Sequence, residues 1–525
     1  MDVDLSRNLG IQPIYLPETE SWEAGFTEFA RYVSSYKKEE QNPSIVLSTS
    51  AGTEKLPAIT ELLTLPPDEV RMKLNAASQQ FINDDLLFSE FKEKYDLAIN
   101  HAARVKLGTN NDKWLGYNLI SERGSGNFGR VFQASDQNGK HYAIKIAHEA
   151  VRDNQIMLSS FRRGVSSMKY LSNSNVRGTV KILDASELPP SIIMEYINGV
   201  NLEEAINRDY IDSIAVSIDV IKRISEIVFS CHTHERAILH RDLRPQNIMI
   251  GGSFWENIDL DEIRVLDFDL SWFEGATGHD YYMPASSALG YLAPEQLEAN
   301  SNYSSRSALV DVYGLSMLLY FALSRQHPSA AASEREDWPT RVDEASAKAY
   351  SRCWKCLPSR ISSAILDGTN PKQNERPLLS SFINRLDELR RLAAGEFLND
   401  PNILREELFQ RIFGKFVGKN ISEYTNYSGV TVSIGILHED EVFSFTLASI
   451  ATESSSRTNM GKYLSDALGR VKDIVKKIAK VEKNDSHVGM SRINLKFTIP
   501  FPKSFAELDS YATTLERAIS VMRIE

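Results

Sequence analysis

Hydrophobic positions change their period several times along the 525 residues of this chain. In the first hundred they recur at helical spacing. Phe26, Phe29, Ala30 and Val33 share one face of a segment from Trp22 to Tyr36. Pro66-Pro67-Asp68 opens a second helix, from Glu69 to about Phe81, with the prolines ahead of the cap. A third runs from Asp84 to Val105 and carries Leu87, Phe88, Phe91, Tyr95, Leu97 and Ala98. Only Pro43-Ser44-Ile45-Val46-Leu47-Ser48 has the look of a short strand. Residues 1–112 therefore read as a mostly helical domain. They hold no catalytic constellation, which suits a docking or regulatory module.

From Trp114 the texture turns to strands: Tyr117 to Ile120, Val131 to Ala134, and, after a turn at Asn138-Gly139, His141 to Ile146. Helical periodicity returns over Ser225 to Ile238. The longest apolar run, Val312 to Leu323, has 12 residues and includes a glycine and a serine, which predicts a buried core helix and not a membrane span. Beyond Ala394 a connecting helix is expected over Pro401 to Val417, then three alternating runs. Val430, Val432, Ile434 and Ile436 share one face, Phe443, Phe445 and Leu447 another, and Ile493, Leu495, Phe497 and Ile499 a third. Between the last two, Gly461 to about Glu482 repeats Leu464, Leu468, Val471, Val475 and Ile478 at helical spacing, a helix expected to pack on the sheet. A last helix is expected over Ser504 to about Arg523. The tail thus reads as a small α+β domain of order β-β-α-β-α.

Composition narrows the class. Apolar residues make up 42% and charged residues 25%, the mixture of soluble globular protein, and the length implies two to four domains. A net charge of −11 argues against a broad nucleic-acid footprint. The acidic start, Met1-Asp2-Val3-Asp4, has no apolar signal region, so a cytoplasmic protein without a membrane segment is expected. The three cysteines, Cys231, Cys353 and Cys356, fit a reducing compartment. Cys353 and Cys356 form a lone C-x-x-C without a second pair and read as ordinary thiols. Lysines 472, 476, 477, 480 and 483 read as a solvated face.

The chemistry sits in the middle of the chain. Gly124-Ser125-Gly126-Asn127-Phe128-Gly129-Arg130-Val131 is a glycine triplet of the phosphate-binding kind. A dinucleotide-binding turn would lead into a helix. This one leads into a second strand and then a third that carries Lys145, the arrangement of a hairpin laid over a nucleotide. Downstream, His240-Arg241-Asp242-Leu243-Arg244-Pro245-Gln246-Asn247 places a carboxylate and, five residues on, an amide. Asp267-Phe268-Asp269 adds a second carboxylate twenty residues later. Phosphoryl transfer needs a base at the attacking oxygen and metal-holding groups beside the phosphates, and these residues supply those types in that order. His232 and His234 diverge on a helix and make a poor metal pair.

With these motifs in order, residues 115–392 resemble the protein kinase superfamily, most closely the bacterial Hanks-type serine/threonine kinases. The resemblance implies an α+β multidomain chain. Its centre would be a bilobal protein-kinase fold over 113–393, with an N-lobe 113–196 and a C-lobe 197–393. A mostly helical N-terminal domain, 1–112, and a small C-terminal α+β domain, 394–525, would flank it. It implies ATP and Mg²⁺ as cofactors. Gly124, Ser125, Gly126, Asn127, Phe128, Gly129, Val131, Ala143, Lys145, Glu195 and Ile197 would surround the nucleotide, with Met194 as gatekeeper. Asp242 would orient or accept the substrate hydroxyl proton, Arg244 would neutralise the γ-phosphate, and Asn247 and Asp267 would hold the metal. Glu295, in Ala293-Pro294-Glu295, would pair with Arg376, and Asp311 would orient the catalytic-loop backbone. Partners implied are a protein substrate, the chain itself through self-phosphorylation, and a regulatory partner or second copy through the outer domains.

The chain departs from the family at four positions. Arg244 stands where lysine is usual. Asp269 replaces a glycine, which costs backbone freedom. Ala288 falls near the place of a usual hydroxyl, with Thr277, Tyr281, Tyr282, Ser286 and Ser287 around it as candidate phosphosites. Gly164, in Phe161-Arg162-Arg163-Gly164-Val165, sits where the helix glutamate that partners the lysine should be. Glu149, Asp153, or a carboxylate from residues 1–112 or a partner are the substitutes this predicts. Two other readings share the site: a pseudokinase scaffold, which the missing glutamate favours and intact Asp242, Asn247 and Asp267 oppose, and a small-molecule kinase of the aminoglycoside type, which Glu295 and Arg376 oppose.

Overall fold

The structure is a computed structural model that describes residues 58–78, 81, 85–105, 113–252, 258–276, 290–297, 302–329, 354–414, 421–425, 430–439, 442–451, 466–467, 469–486 and 492–522. The segments Trp22 to Tyr36 and Pro43 to Ser48, the hydroxyls of Thr277, Tyr281, Tyr282, Ser286 and Ser287, Ala288, and Cys353 lie outside these residues. The chain divides into two compact units: 1–119 with 186–189, and 120–185 with 190–525.

The first unit holds helices α1 (Ile59–Leu62), α2 (Pro67–Ser78), α3 (Asp85–Lys94) and α4 (Asp96–Ala102), followed by the short strand β1 (Lys113–Trp114). The single helix expected over Asp84 to Val105 is thus two helices that meet at Tyr95. Leu62, Val70, Leu74, Phe81, Phe91, Tyr95 and Leu188 form its apolar core. Arg71 is buried there, and it escapes the usual penalty because its donors are used. It donates to the carbonyls of Ala102 at 2.7 Å, Lys113 at 2.6 Å and Arg104 at 2.8 Å, and it lies over the Trp114 ring at 3.9 Å.

The second unit opens with an antiparallel hairpin, β2 (Tyr117–Ser125, its first residues in the first unit) and β3 (Gly129–Ser135). Strand β4 (His141–Ala147) follows, then helices α5 (Glu149–Asp153) and α6 (Gln155–Asn173) and strands β5 (Ile182–Glu187) and β6 (Pro190–Glu195). The sheet order is β2-β3-β4-β6-β5. Asn154 starts α6 by accepting the N–H groups of Ile156 and Met157. Next come β7 (Gly199–Asn201), α7 (Leu202–Asn207) and α8 (Ile214–His232), then β8 (Ile248–Gly251) and β9 (Ile263–Val265), which with β7 form a separate antiparallel sheet of order β7-β8-β9. Helices α9 (Pro294–Leu297), α10 (Leu309–Ser324), α11 (Leu357–Gly368), α12 (Leu379–Ala393) and α13 (Pro401–Phe413) complete a helical lobe. Almost every residue of α10 is buried, as its apolar run predicts.

The tail is richer in strands than its sequence pattern suggests. Strands β10 (Ile421–Thr425), β11 (Val430–Glu439), β12 (Val442–Ala451), β13 (Lys480–Ser486) and β14 (Arg492–Pro500) form an antiparallel sheet of order β10-β11-β12-β14-β13, followed by α14 (Phe505–Met522). The helix expected to reach Glu482 is helical over 469–475, and residues 480–482 already belong to β13. The two strands absent from the periodicity reading, Ile-Ser-Glu-Tyr-Thr and Lys-Val-Glu-Lys-Asn-Asp-Ser, are the two edges of the sheet. Edge strands need little apolar alternation and are kept polar against edge-to-edge pairing. The three central strands are the ones whose alternation was legible. Phe445 and Phe497 face each other across β12 and β14 with rings 5.1 Å apart and nearly parallel.

The tail is fastened to the helical lobe by aromatics. Trp354, fully buried, has its ring 5.2 Å from Phe505 at the start of α14 and 5.8 Å from Phe397. Its indole N–H donates to the Glu396 carbonyl at 2.6 Å. Arg411 on α13 reaches Asp509 on α14.

Candidate active site

The upper wall of the site is the β2-β3 hairpin. Gly126 N–H donates to the Gly129 carbonyl at 2.9 Å, closing the turn. A side chain at Gly129 would strike the Ile146 carbonyl, whereas Gly124 and Gly126 border open space. Gly124, Ser125, Gly126 and Asn127 are exposed, while Phe128 turns inward and is buried. Register places Val131 opposite Lys145, and Ala143 opposite Met194. Since opposite residues share a face, Val131, Ala143, Lys145 and Met194 lie on one side of the sheet. Glu195 ends β6, its carboxylate accepting the Lys181 N–H at 2.9 Å and its own N–H bonded to the Lys181 carbonyl at 3.0 Å. Ile197 follows, half-buried.

The lower wall is the loop from Leu239 to Asn247, and Asp311 is its anchor. One Asp311 oxygen accepts the His240 N–H at 2.9 Å, the other the Arg241 N–H at 2.7 Å. His232 Nε2 reaches Asp311 Oδ2 at 2.7 Å. Burial works against the Asp311 charge, but the His232 hydrogen bond, the histidines beside it and the Arg241 N–H hold its carboxyl below the usual range. Arg241 takes a left-handed backbone, φ 68°, a costly conformation for a residue with a Cβ, and Gln296 holds its carbonyl at 2.8 Å. The loop then presents Asp242. Asn247 Nδ2 donates to its carbonyl at 2.8 Å and to its carboxylate at 2.9 Å, and Arg244 Nε lies 3.6 Å from the same oxygen. Burial pushes the Asp242 carboxyl up, with Arg244 opposing.

Strands β8 and β9 bring the second carboxylate in. Leu266 N–H donates to the Asn247 carbonyl at 2.8 Å, so Asp267 leaves β9 beside Asn247. It does so in a left-handed conformation, φ 59°. Asp269, where the sequence suggested a loss of backbone freedom, keeps an ordinary negative φ. The residue that needs the unusual geometry is Asp267.

Lys145 meets both carboxylates. Its Nζ donates to Asp267 Oδ1 at 2.8 Å and to Asp269 Oδ2 at 2.5 Å. Burial disfavours its charge, but the two carboxylates outweigh burial and raise its pKa. Burial and then the Asp267 charge raise the Asp269 carboxyl, with Lys145 opposing, while Lys145 overcomes burial to hold Asp267 below the usual carboxylate range. Of the substitutes expected for a helix carboxylate, Glu149 and Asp153 are therefore corrected: among the described residues of its unit, Lys145 is bonded by the carboxylates of Asp267 and Asp269. Gly164 does not leave a gap either. A Cβ there would lie 2.9 Å from the Phe268 carbonyl oxygen and 3.0 Å from Asp269 Cα.

Further down, the expected pair of Glu295 and Arg376 forms in two parallel hydrogen bonds of 2.6 and 2.9 Å, both side chains fully buried, and Gln373 adds a third bond to Glu295 at 2.7 Å. Sequence reading missed four groups that hold this site: His232, Gln296, Ser271 and the Asp269 carboxylate. His232 carried a weak signal, a histidine at the end of an apolar-periodic helix, but its partner is 79 residues away.

Residues 117–403, more than half of the chain, match the family described as the protein kinase domain. The chain is 28% identical over 216 residues to the probable serine/threonine-protein kinase PknB of Lactococcus lactis, covering 40% of this chain and 32% of that protein. It is 29% identical over 233 residues to the serine/threonine-protein kinase cds1 of Schizosaccharomyces pombe, covering 42% of this chain and 46% of that protein. The match spans less than half the length of either relative. Among solved structures, the Mycobacterium tuberculosis PknI kinase domain aligns over 54% of this chain and all of its own, with a TM-score of 0.38 and 13% identity. On the strength of the family match across its central domain, the chain belongs to the protein kinase family.

Proposed function

We propose that this chain is an ATP- and Mg²⁺-dependent serine/threonine kinase that transfers the γ-phosphate to hydroxyls of protein substrates, itself included. The observation that carries the reading is the setting of Asp242: a half-buried carboxyl with a raised pKa, fixed by Asn247 and faced by Arg244. A carboxyl so placed orients a hydroxyl and takes its proton as the oxygen attacks. Arg244, a planar fork where a point charge is usual, neutralises the phosphoryl group in flight. At the exposed hairpin tip, Gly124 to Asn127, the backbone comes close to the phosphate oxygens, and Lys145 adds charge. Val131, Ala143, Glu195 and Ile197 border the base, with Met194 at the back.

Asp267 and the Asn247 amide oxygen are hard oxygen donors, the type that magnesium takes together with phosphate oxygens. Asn247 turns its nitrogen to Asp242, which leaves its oxygen for this role. Bound there, the metal supplies charge neutralisation across the phosphates. The buried thiols of Cys231 and Cys356 suit a reducing, cytoplasmic setting. The outer regions serve as docking or regulatory modules.

The test is labelled ATP with Mg²⁺, the full chain, and a generic protein acceptor. Asp242→Asn is expected to lower transfer about 10²–10⁴-fold, and Asp267→Asn to abolish it, with label on serine or threonine by phosphoamino-acid analysis. Nucleotide binding without any transfer would mark a scaffold instead, and label on small molecules alone would overturn the protein substrate.

A further inference from the structure

Lys145 has two carboxylates, and they are not equivalent. The Asp267 side chain is 30% exposed, that of Asp269 only 4%. Asp267 faces the cleft and, in the function proposed above, is committed to the metal. Asp269 faces inward. Its Oδ2 is 2.5 Å from the lysine, and its Oδ1 is buried without a hydrogen-bond partner among the described residues. An incompletely satisfied buried carboxylate is costly, and removing its cation would make it costlier still.

The room for this arrangement comes from Gly164 on α6. The helix lies so close to Phe268 and Asp269 that any Cβ at 164 would meet backbone at 2.9–3.0 Å. A carboxylate carried by the helix at that point has no space. The helix is instead bolted to the same segment two residues on. Arg163 Nε donates to the Ser271 carbonyl at 2.9 Å, and the Ser167 and Ser271 hydroxyls are 2.7 Å apart, all three side chains buried. Trp272 then joins Leu239 through a two-bond bridge.

Resting on that kinase reading, we propose that Asp269 is the positioning residue of Lys145. The lysine's dedicated carboxylate has moved off helix α6 onto the segment that carries the metal-holding Asp267, and Gly164 is the space that admits it. One consequence is regulatory. Turning residues 267–269 out of the cleft withdraws the metal carboxylate and the lysine's partner in one motion, so a single rearrangement disarms both.

The experiment uses the full chain and measures the dissociation constant of a fluorescent ATP analogue with Mg²⁺, ATP KM, kcat and Tm. Asp269→Ala is expected to weaken nucleotide binding and raise ATP KM about tenfold or more, the scale of a lost charged hydrogen bond. Asp269→Asn, which keeps an acceptor near Lys145, is expected to lose less. Phe505→Ala, at the junction of the tail with the helical lobe, should lower Tm while leaving nucleotide affinity unchanged. If Asp269→Ala binds the analogue as the parent does, the proposal is wrong whatever happens to turnover. If Phe505→Ala weakens binding as much as Asp269→Ala, the loss at Asp269 is one of stability and the proposal falls. A parent chain that binds the analogue but transfers nothing defeats the kinase reading, while the affinity comparison still decides the role of Asp269. A parent chain that binds no nucleotide overturns both.

Discussion

Single residues carry the strongest energetic statements. Glu295 and Arg376 are fully buried and doubly bonded. Removing one partner strands the other's charge, so Glu295→Gln is expected to cost about 3–5 kcal/mol in denaturant unfolding. Asp311 gives a pH signature. Its folded pKa lies below its ordinary value, so its stabilisation is present above that value and is lost as pH falls through the depressed one. The Tm gap between the parent and Asp311→Asn should therefore be wide at neutral pH and close in acid below about pH 4. A gap that stays constant would remove Asp311 from the acid transition. Much at this scale was legible: Asp242, Asn247, Asp267 and Lys145 stand out by type and spacing, and the pairing of Glu295 with Arg376 follows from the family resemblance. The role of Asp269 was not. In the sequence it is a substitution that stiffens a loop. That it reaches a lysine 124 positions away depends on how close helix α6 comes to Phe268, which no local pattern encodes.

Elements show the same division between pattern and proximity. Helix α10 and the central strands of the tail follow from their apolar periods. Edge strands β10 and β13 do not, because an edge is defined by what it lacks. Helix α6 is the element with the sharpest prediction. In an open helix, replacing glycine by alanine stabilises by about 1 kcal/mol. At Gly164 the sign should invert, since the added Cβ meets backbone and overpacking costs about 1–3 kcal/mol. Thermal unfolding of Gly164→Ala reads the sign directly, and a raised Tm would show that the helix can retreat from Phe268 without penalty.

For the whole molecule, the tail is structurally continuous with the helical lobe. Trp354, Phe397 and Phe505 interlock across the junction. Phe505→Ala is expected to cost about 2–3 kcal/mol. Ending the chain at Gly414 should uncover Trp354 and Phe397 and leave a protein that melts earlier and scatters light on heating. A truncated chain as stable and monodisperse as the parent would make the tail an independent passenger. Their attachment could not be read from the sequence, because it is made by three rings far apart in the chain. No helix among the described residues is long and apolar enough to cross a membrane.

The closeness of Gly164 to Asp269 also bears on how this chain changes over generations. A glutamate arriving first at 164 finds its place filled by backbone, and a glycine arriving first at 269 leaves Lys145 to Asp267 alone. Each single step toward the commoner pairing passes through a less fit intermediate. Two positions 105 residues apart are thereby bound into one inherited choice, and a lineage that has made it is held there by the order in which mutations must come.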